Sequence, residues 1–247
     1  MNHPHNRRLL RLTGADTRSF LQGLITNDVN KLDDGLIYAA MLTPQGKYIA
    51  DFFLVPEGDA VVLDTDADQT DALAKRLTMY KLRADVTIAE DPRKVSRGTG
   101  TVPDGAFGDP RHPALGWRGY AGQADEATDW TALNVQHVIP SAGIELTSDS
   151  FLLEMGFERI NGVDFKKGCY VGQEVTARMK HKTELRKGLA QVTITGDADV
   201  GTEIMTQDGK AAGTLQSQSG NQALAYLRFD RAKGPLNAKD AQITYAP

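Results

Sequence analysis

Gly162-Val163-Asp164-Phe165-Lys166-Lys167-Gly168-Cys169-Tyr170-Val171-Gly172-Gln173-Glu174-Val175-Thr176-Ala177-Arg178 is the stretch on which the reading of this chain turns. Its sole cysteine, Cys169, stands with Tyr170 between two glycines, Gly168 and Gly172, where the backbone is free to turn sharply and to let a ligand approach closely. Gly172-Gln173 reads as the opening of a helix, because Val175 and Met179 then share one face. Glu174 in its first turn, and Lys180, His181 and Lys182 near its end, complement the helix dipole. Free amides at such a start suit an anionic or carbonyl-bearing ligand. Lys166 and Lys167 beside the thiol favour the thiolate, which would make Cys169 more nucleophilic than an isolated cysteine. A lone cysteine is also commonly a small buried hydrophobe, and on chemistry alone that is the commoner role.

Working outward, charge is uneven. From Arg159 to Lys187 eight Lys/Arg face three acids, a local excess of +5 that leaves −9 on the remainder. A cationic segment in an acidic protein suggests a local anion site, although a solvated helix face would look the same. On the N-terminal side, Leu9 to Leu12 reads as a strand, followed by a helix from an Asp16 N-cap through Leu24. Leu36 to Leu42 and Lys47 to Val55 read as a hairpin turning on Thr43-Pro44-Gln45-Gly46. Ala60 to Asp64 is a further strand, Asp68 to Lys81 an amphipathic helix with Leu73, Leu77 and Tyr80 on one stripe, and Ala84 to Ala89 a returning strand. Helices packed on antiparallel strands make an α+β fold. Asp91 to Gly122, rich in Gly and Pro, reads as a long, partly extended connection with short strands such as Ala114 to Trp117. A helix from Asp129 to about Ile139 follows. Beyond Lys187, strand candidates at Leu189–Thr195, Glu203–Thr206, Ala211–Gln218, Ala223–Phe229 and Gln242–Tyr245, with turns at Asp208-Gly209 and Gly234-Pro235, describe a small β-barrel or sandwich. The division expected is residues 1–186 and 187–247.

Composition bounds the classes of function. The 247 residues, 40% hydrophobic and 24% charged, suffice for a large core, and a net charge of −4 argues against a whole-surface affinity for nucleic acid or anionic membrane. No run approaches the length of a bilayer span, and Arg11 interrupts the apolar start after Leu9-Leu10, so neither a span nor a secretory h-region is expected. One cysteine builds no intrachain disulfide and no thiolate metal site alone, so a reducing, cytoplasmic setting and no metal centre are expected.

Lys167-Gly168-Cys169-Tyr170-x-Gly172-Gln173-Glu174-x-x-x-Arg178 resembles the signature of the YgfZ family, relatives of the glycine-cleavage aminomethyltransferase. Thr13-Gly14-Ala15-Asp16, Phe20-Leu21-Gln22-Gly23 and Thr26-Asn27-Asp28-Val29 resemble the opening motif shared with the aminomethyltransferases. Tyr80 to Val86, Phe151-Leu152-Leu153-Glu154 and His181 to Arg186 are similar as well. The resemblance implies three parts in a clover leaf around a channel for tetrahydrofolate or a derivative, the last part being the C-terminal β-domain. It implies support of iron–sulfur protein maturation, with iron–sulfur client or assembly proteins as partners, a link to tRNA thiolation enzymes, and Cys169 as the essential thiol. Glu154 falls where the aminomethyltransferases place a glutamate that hydrogen-bonds the pterin, and a carboxylate suits the paired donors of that ring. The folate-binding set implied is Glu154, Lys167, Gly168, Tyr170, Gly172, Gln173, Glu174, Arg178 and Asp51, with the cationic segment drawing the folate's carboxylates.

One departure bears on chemistry. The aminomethyltransferases carry two successive aspartates in the hairpin strand, where this chain has Ala50-Asp51. That weakens the alternative function, a folate-dependent aminomethyl or methyl transferase. Direct nucleic-acid binding is not expected, since no aromatic strand surface or RNA module accompanies the basic segment.

Overall fold

A computed structural model describes residues 6–181 and 184–246, so Lys182 of the cationic segment lies outside the described residues. Among them, one compact unit comprises the chain up to Thr128 together with Phe157–Ala177, and the other Asp129–Gly156 with the chain from Arg178 onward.

In the first unit, β1 (Arg7–Thr13), α1 (Thr17–Gln22), β2 (Ile37–Leu42), β3 (Tyr48–Glu57), β4 (Ala60–Asp66), α2 (Ala67–Lys81) and β5 (Thr87–Asp91) follow in chain order. The strands form an antiparallel sheet in the order β2-β3-β4-β1-β5. The β2–β3 hairpin turns on Thr43-Pro44-Gln45-Gly46 as expected, with the Thr43 amide donating to the Lys47 carbonyl. Period-2 alternation gives each strand two faces. Leu10, Leu12, Met41, Phe52, Leu54 and Leu63 line one and pack with Leu21 of α1 and Leu73 and Leu77 of α2. Leu9, Val55 and Val62 line the other and pack with Val95 and Tyr120 of the following segment. Both faces are covered, which is why β2 is buried at every position. Helix α1 is shorter than the expected Asp16–Leu24. The Asp16 carboxylate does not cap it but accepts the Asp85 amide at 2.8 Å, and Gly23 follows its last residue.

The Asp91–Gly122 stretch is not the loose connection its composition suggests. It folds into β6 (Ser96–Gly98), β7 (Ala106–Gly108) and β8 (Trp117–Gly119), a sheet in the order β6-β8-β7. Only Trp117 of the expected strand Ala114–Trp117 is in a strand. Pro113–Leu115 is a 3-10 turn, started by His112 Nδ1 accepting the Ala114 amide. Three-residue strands are too short to show alternation, and side chains hold this sheet instead. Glu126 accepts the Thr99 and Gly100 amides, and Asp125 accepts the Arg97 amide.

A buried ionic cluster joins this sheet to the larger one. Asp64 of β4, fully buried, accepts from Arg7 of β1 at 2.6 Å, and from Arg118 of β8 and the Tyr120 hydroxyl at 2.6 and 2.9 Å. Arg118 lies 4.0 Å from the Phe53 ring centre, with Arg111, paired to Asp109, at 4.9 Å. Burial alone would raise the Asp64 carboxyl, but the charges of Arg118 and Arg7 outweigh it and hold Asp64 well below the usual carboxylate range.

In the second unit, α3 (Trp130–His137), capped by Asp129, packs against strands of a closed barrel. The barrel is formed by β9 (Lys187–Thr195), β10 (Glu203–Thr206), β11 (Ala211–Ser219), β12 (Gln222–Arg228), β13 (Leu236–Ala238) and β14 (Ala241–Thr244), ordered β10-β11-β12-β9-β14-β13. The sequence pattern misses β13, a three-residue strand behind Gly234-Pro235 that pairs with both β10 and β14 and closes the ring. Its interior holds Val192, Ile194, Ile204, Leu215, Leu227, Leu236 and Ile243. Helix α4 (Gln173–Lys180) begins where Gly172-Gln173 places it.

Asp64→Asn strands two guanidiniums in a buried site and is expected to cost about 3–5 kcal/mol in urea unfolding at neutral pH. Because the folded carboxyl titrates below its unfolded value, the cluster's contribution is constant above about pH 4 and is lost as pH falls further. The deficit of the variant relative to the parent therefore shrinks only in acid.

Candidate functional site

The Cys169 loop is built on α1 and the segment after it. Thr26 Oγ1 donates to the Gly162 carbonyl at 2.6 Å and accepts the Ala40 amide of β2. Asn27 donates to the Asn161 and Tyr38 carbonyls, and the Asp164 amide donates to Thr26 O. Asp164 in turn accepts the Lys166 and Lys167 amides and pairs with Lys31 at 2.7 Å. Its partial burial works to raise its pKa, and Lys31 with those amides outweighs this, holding the carboxyl below its usual range.

Lys167 is buried. Its Nζ donates to the carbonyls of Gln22 and Ile25 at 2.7 and 2.5 Å, at the end of α1 where helix carbonyls lack partners. Its Nζ also lies 5.0 Å from the Tyr170 ring centre. Burial pulls the Lys167 pKa down to about 8, against the opposing charges of Asp28 and Asp164. Tyr170 is buried too, and burial raises its hydroxyl. The Val171 amide donates to Gly23 O. Between these anchors Gly168 and Cys169 are exposed.

The start of α4 is set by two glycines meeting. Gly46 of the β2–β3 turn and Gly172 have φ of +74° and +84°. A Cβ on Gly172 would lie 2.6 Å from Thr43 O, and one on Gly46 would lie 2.7 Å from Val175 Cβ. The hairpin tip therefore seats directly on the first turn of α4, which only glycine at both places permits. Gly168 is different: a Cβ there would meet nothing within 4 Å. Gln173 Oε1 accepts the Tyr170 amide at 3.4 Å, while Glu174 and Arg178 are exposed on α4.

Asp51 of β3 is buried in the same unit, with its oxygens accepting the Tyr38 hydroxyl at 2.9 Å and the Tyr48 hydroxyl at 2.6 Å. Burial first, then the Asp51 charge, pushes both phenols up, so both remain donors at neutral pH. Glu154 and Arg178 belong to the other unit. Glu154 is partly buried, with its Oε2 accepting the Tyr226 hydroxyl at 2.7 Å, and burial followed by Glu154 raises that phenol well above its usual range. Among the described residues no group of three or more His, Cys, Asp and Glu is placed to hold a metal ion.

This arrangement has known counterparts. Residues 186–247 match the family model of the CAF17 C-terminal beta-barrel domain. The mitochondrial iron–sulfur cluster assembly factor IBA57 of Mus musculus is 32% identical, the alignment covering 96% of this chain and 79% of the mouse protein. Its Homo sapiens counterpart is 29% identical, with 97% and 81% covered. The chain belongs to the IBA57 family of iron–sulfur cluster assembly factors. Its fold is that of the glycine cleavage system aminomethyltransferase T from Bartonella henselae, at a TM-score of 0.74 and 11% identity, over 97% of this chain and 83% of that one.

Within this IBA57-family chain, two of the motifs quoted for resemblance, Phe20–Gly23 and Thr26–Val29, turn out to support the loop. Gln22 links to Asp28 and Val29, and Thr26 and Asn27 clasp 161–164. Sequence reasoning missed Tyr38 and Tyr48 around Asp51, Tyr226 at Glu154, and Lys31 at Asp164. A signal existed for Tyr38: the hairpin register opposes Ala40 to Asp51, which sets Tyr38 diagonal to that carboxylate on one face. Tyr226 lies 72 residues from Glu154, and no local pattern connects them.

Lys167→Met leaves two carbonyls without their donor and is expected to cost about 1–3 kcal/mol in urea unfolding. Since folding lowers the Lys167 pKa, the unfolded chain binds more protons between about pH 8 and 10. The parent's advantage over the variant therefore widens as pH rises through that window, which unfolding curves across pH will register.

Proposed function

We propose that this chain assists iron–sulfur cluster assembly or repair, with Cys169 as its working thiol and tetrahydrofolate or a derivative as its small-molecule ligand. The observation that carries the reading is the presentation of Cys169: an exposed thiol between buried, bonded Lys167 and Tyr170, in an IBA57-family chain. The lack of steric demand at Gly168 supports it, because that glycine leaves open the space beside the sulfur. A thiol that bonds iron releases its proton to solvent and supplies one ligand of a cluster, so the others come from the assembly or client protein that meets it. Clients in this reading include iron–sulfur enzymes that thiolate tRNA, reached by protein contact rather than by direct nucleic-acid binding. The setting is reducing, cytoplasmic in this reading, although the mouse and human relatives are named as mitochondrial. No helix among the described residues is long and apolar enough to cross a membrane.

Glu154 suits a folate in the acceptor capacity of its carboxylate. Glu154 Oε1 has no hydrogen-bond partner among the described residues, and Oε2, with one donor from Tyr226, keeps a second lone pair. The carboxylate can therefore face the paired N–H edge of a pterin, while the Tyr226 hydroxyl fixes its orientation. When bound, a reduced folate would supply a carrier for a one-carbon unit. Asp51 holds one tyrosine hydroxyl on each oxygen and has Ala50 rather than a second aspartate before it, which favours the assembly role over the transferase.

Cys169→Ala, at an exposed position, is expected to change stability by no more than about 0.5 kcal/mol. In a strain lacking the gene, it should fail to restore iron–sulfur enzyme activities that the parent restores. Full rescue by the alanine variant would remove the thiol from the function. Calorimetric titration with tetrahydrofolate should give binding that weakens by about 1–3 kcal/mol in Glu154→Gln. Absence of both heat and thermal shift in the parent would sink the folate assignment, and an unchanged Kd in the variant would remove Glu154 from the site.

A further inference from the structure

We propose that the C-terminal half of α2 and the turn after it form a docking surface for an acidic segment of a partner protein that inserts apolar anchors between lysine and arginine side chains. The helix buries Leu73 and Leu77 against the sheet. Beside that face Ala72, Lys75, Arg76 and Met79, with Tyr80 half-buried against the core at the edge, line an open groove of about 530 Å³. Met79 is 69% exposed, and Leu82, the residue that ends the helix, is 87% exposed.

Leu82 is the informative residue. Its backbone stands at φ +46°, ψ −104°, outside both the right-handed and the left-handed helical regions and a conformation that L side chains rarely adopt. A strained leucine in a core is compensated by burial, and this one gains almost none. For folding alone, glycine would serve better at this position on both counts. Strain combined with exposure of a large apolar side chain is the mark of a residue kept for contact with something else.

Charge states what that something is. Lys75, Arg76, Lys81 and Arg83 surround Met79 and Leu82, and among the described residues none has a carboxylate within 4.0 Å. Elsewhere in the same unit Arg8, Arg11, Arg18 and Arg93 each hold one. The acids of the helix, Asp68 and Asp71, lie at its other end. Four unanswered cations around two exposed apolar side chains complement a segment with leucine-like anchors flanked by Asp or Glu. A helix face with an apolar groove takes such a segment as a helix in a groove. An anionic bilayer fits less well, since two apolar side chains give little insertion and the chain as a whole carries −4.

The test uses the full-length chain and fluorescence anisotropy with two labelled helical peptides, one with leucines spaced i, i+4, i+7 among glutamates, the other with lysine for every glutamate. The acidic peptide should bind, more weakly at high salt, and the basic one should not. Lys75→Glu with Arg76→Glu should weaken binding of the acidic peptide by about tenfold or more. Leu82→Gly should weaken it too, with a Tm equal to or above that of the parent, an outcome that damage to the fold would not produce. Equal binding of the two peptides, no binding of the acidic one, or indifference to these substitutions would overturn the proposal. So would cosedimentation with phosphatidylserine vesicles, or self-association in analytical ultracentrifugation, if Leu82→Gly abolished it, since the surface would then serve lipid or a second copy.

Discussion

A carboxylate with no access to water sits at the middle of the first unit, and its three donors come from two distant parts of the chain. Asp64 of β4 holds Arg7 of β1 beside it, and Arg118 and Tyr120 from the strand β8 region. Removing a charge from water is costly unless its partners are close and its lone pairs are filled, and here both conditions hold. The consequence is positional. The small sheet of Ser96–Gly119 can cover the second face of the larger one only in the place where Arg118 meets Asp64 and lies against Phe53. With that face covered, Tyr38 and Phe53 are enclosed, and the phenols around Asp51 are kept protonated.

The same economy of contact appears around Cys169, with backbone groups in place of charges. The loop is held by carbonyls of α1 and the turn after it: those of Gln22, Gly23, Ile25 and Thr26 each accept from it. Lys167 stands beside the thiol in sequence yet points its ammonium inward to close the end of α1. A sequence neighbour is not a spatial partner: two carbonyls hold the Lys167 ammonium, while Cys169, two residues on, is exposed. The outcome is a loop rigid at both shoulders and open at Gly168-Cys169, suited to bringing a sulfur to a partner protein without the loop having to order itself on contact.

Much of the architecture is legible in the sequence. The Thr-Pro-Gln-Gly turn located the β2–β3 hairpin, the 3.6-residue stripe of Leu73 and Leu77 located α2, and short strands with turn signals behind Lys187 indicated a small barrel or sandwich, of which the structure is the barrel. What escaped was short: β6, β7, β8 and β13, each of three residues. A strand of that length displays no period, and its existence depends on an edge offered by a distant segment, as β13 depends on β10 and β14. Helix α1 starts after Asp16 as expected, although the Asp85 amide, 69 residues away, claims the carboxylate, and it ends at Gln22 before Gly23 rather than at Leu24.

By itself the sequence determined the class of fold, the strands and helices long enough to carry a period, the single thiol, and the cationic stretch around it. Through its motifs it also pointed to the assembly-factor relatives. Only the tertiary structure decided which residues those motifs serve. Thr26, Asn27 and Gln22 clamp a loop more than 130 residues away, Tyr38 and Tyr48 fill the oxygens of Asp51, Tyr226 orients Glu154, and Lys167 is buried while Cys169 is exposed. The division has a physical cause. Periodicity and turn chemistry act between neighbours along the chain and leave their mark there, whereas burial, the pairing of charges and the filling of lone pairs depend on groups that meet only when the chain has folded.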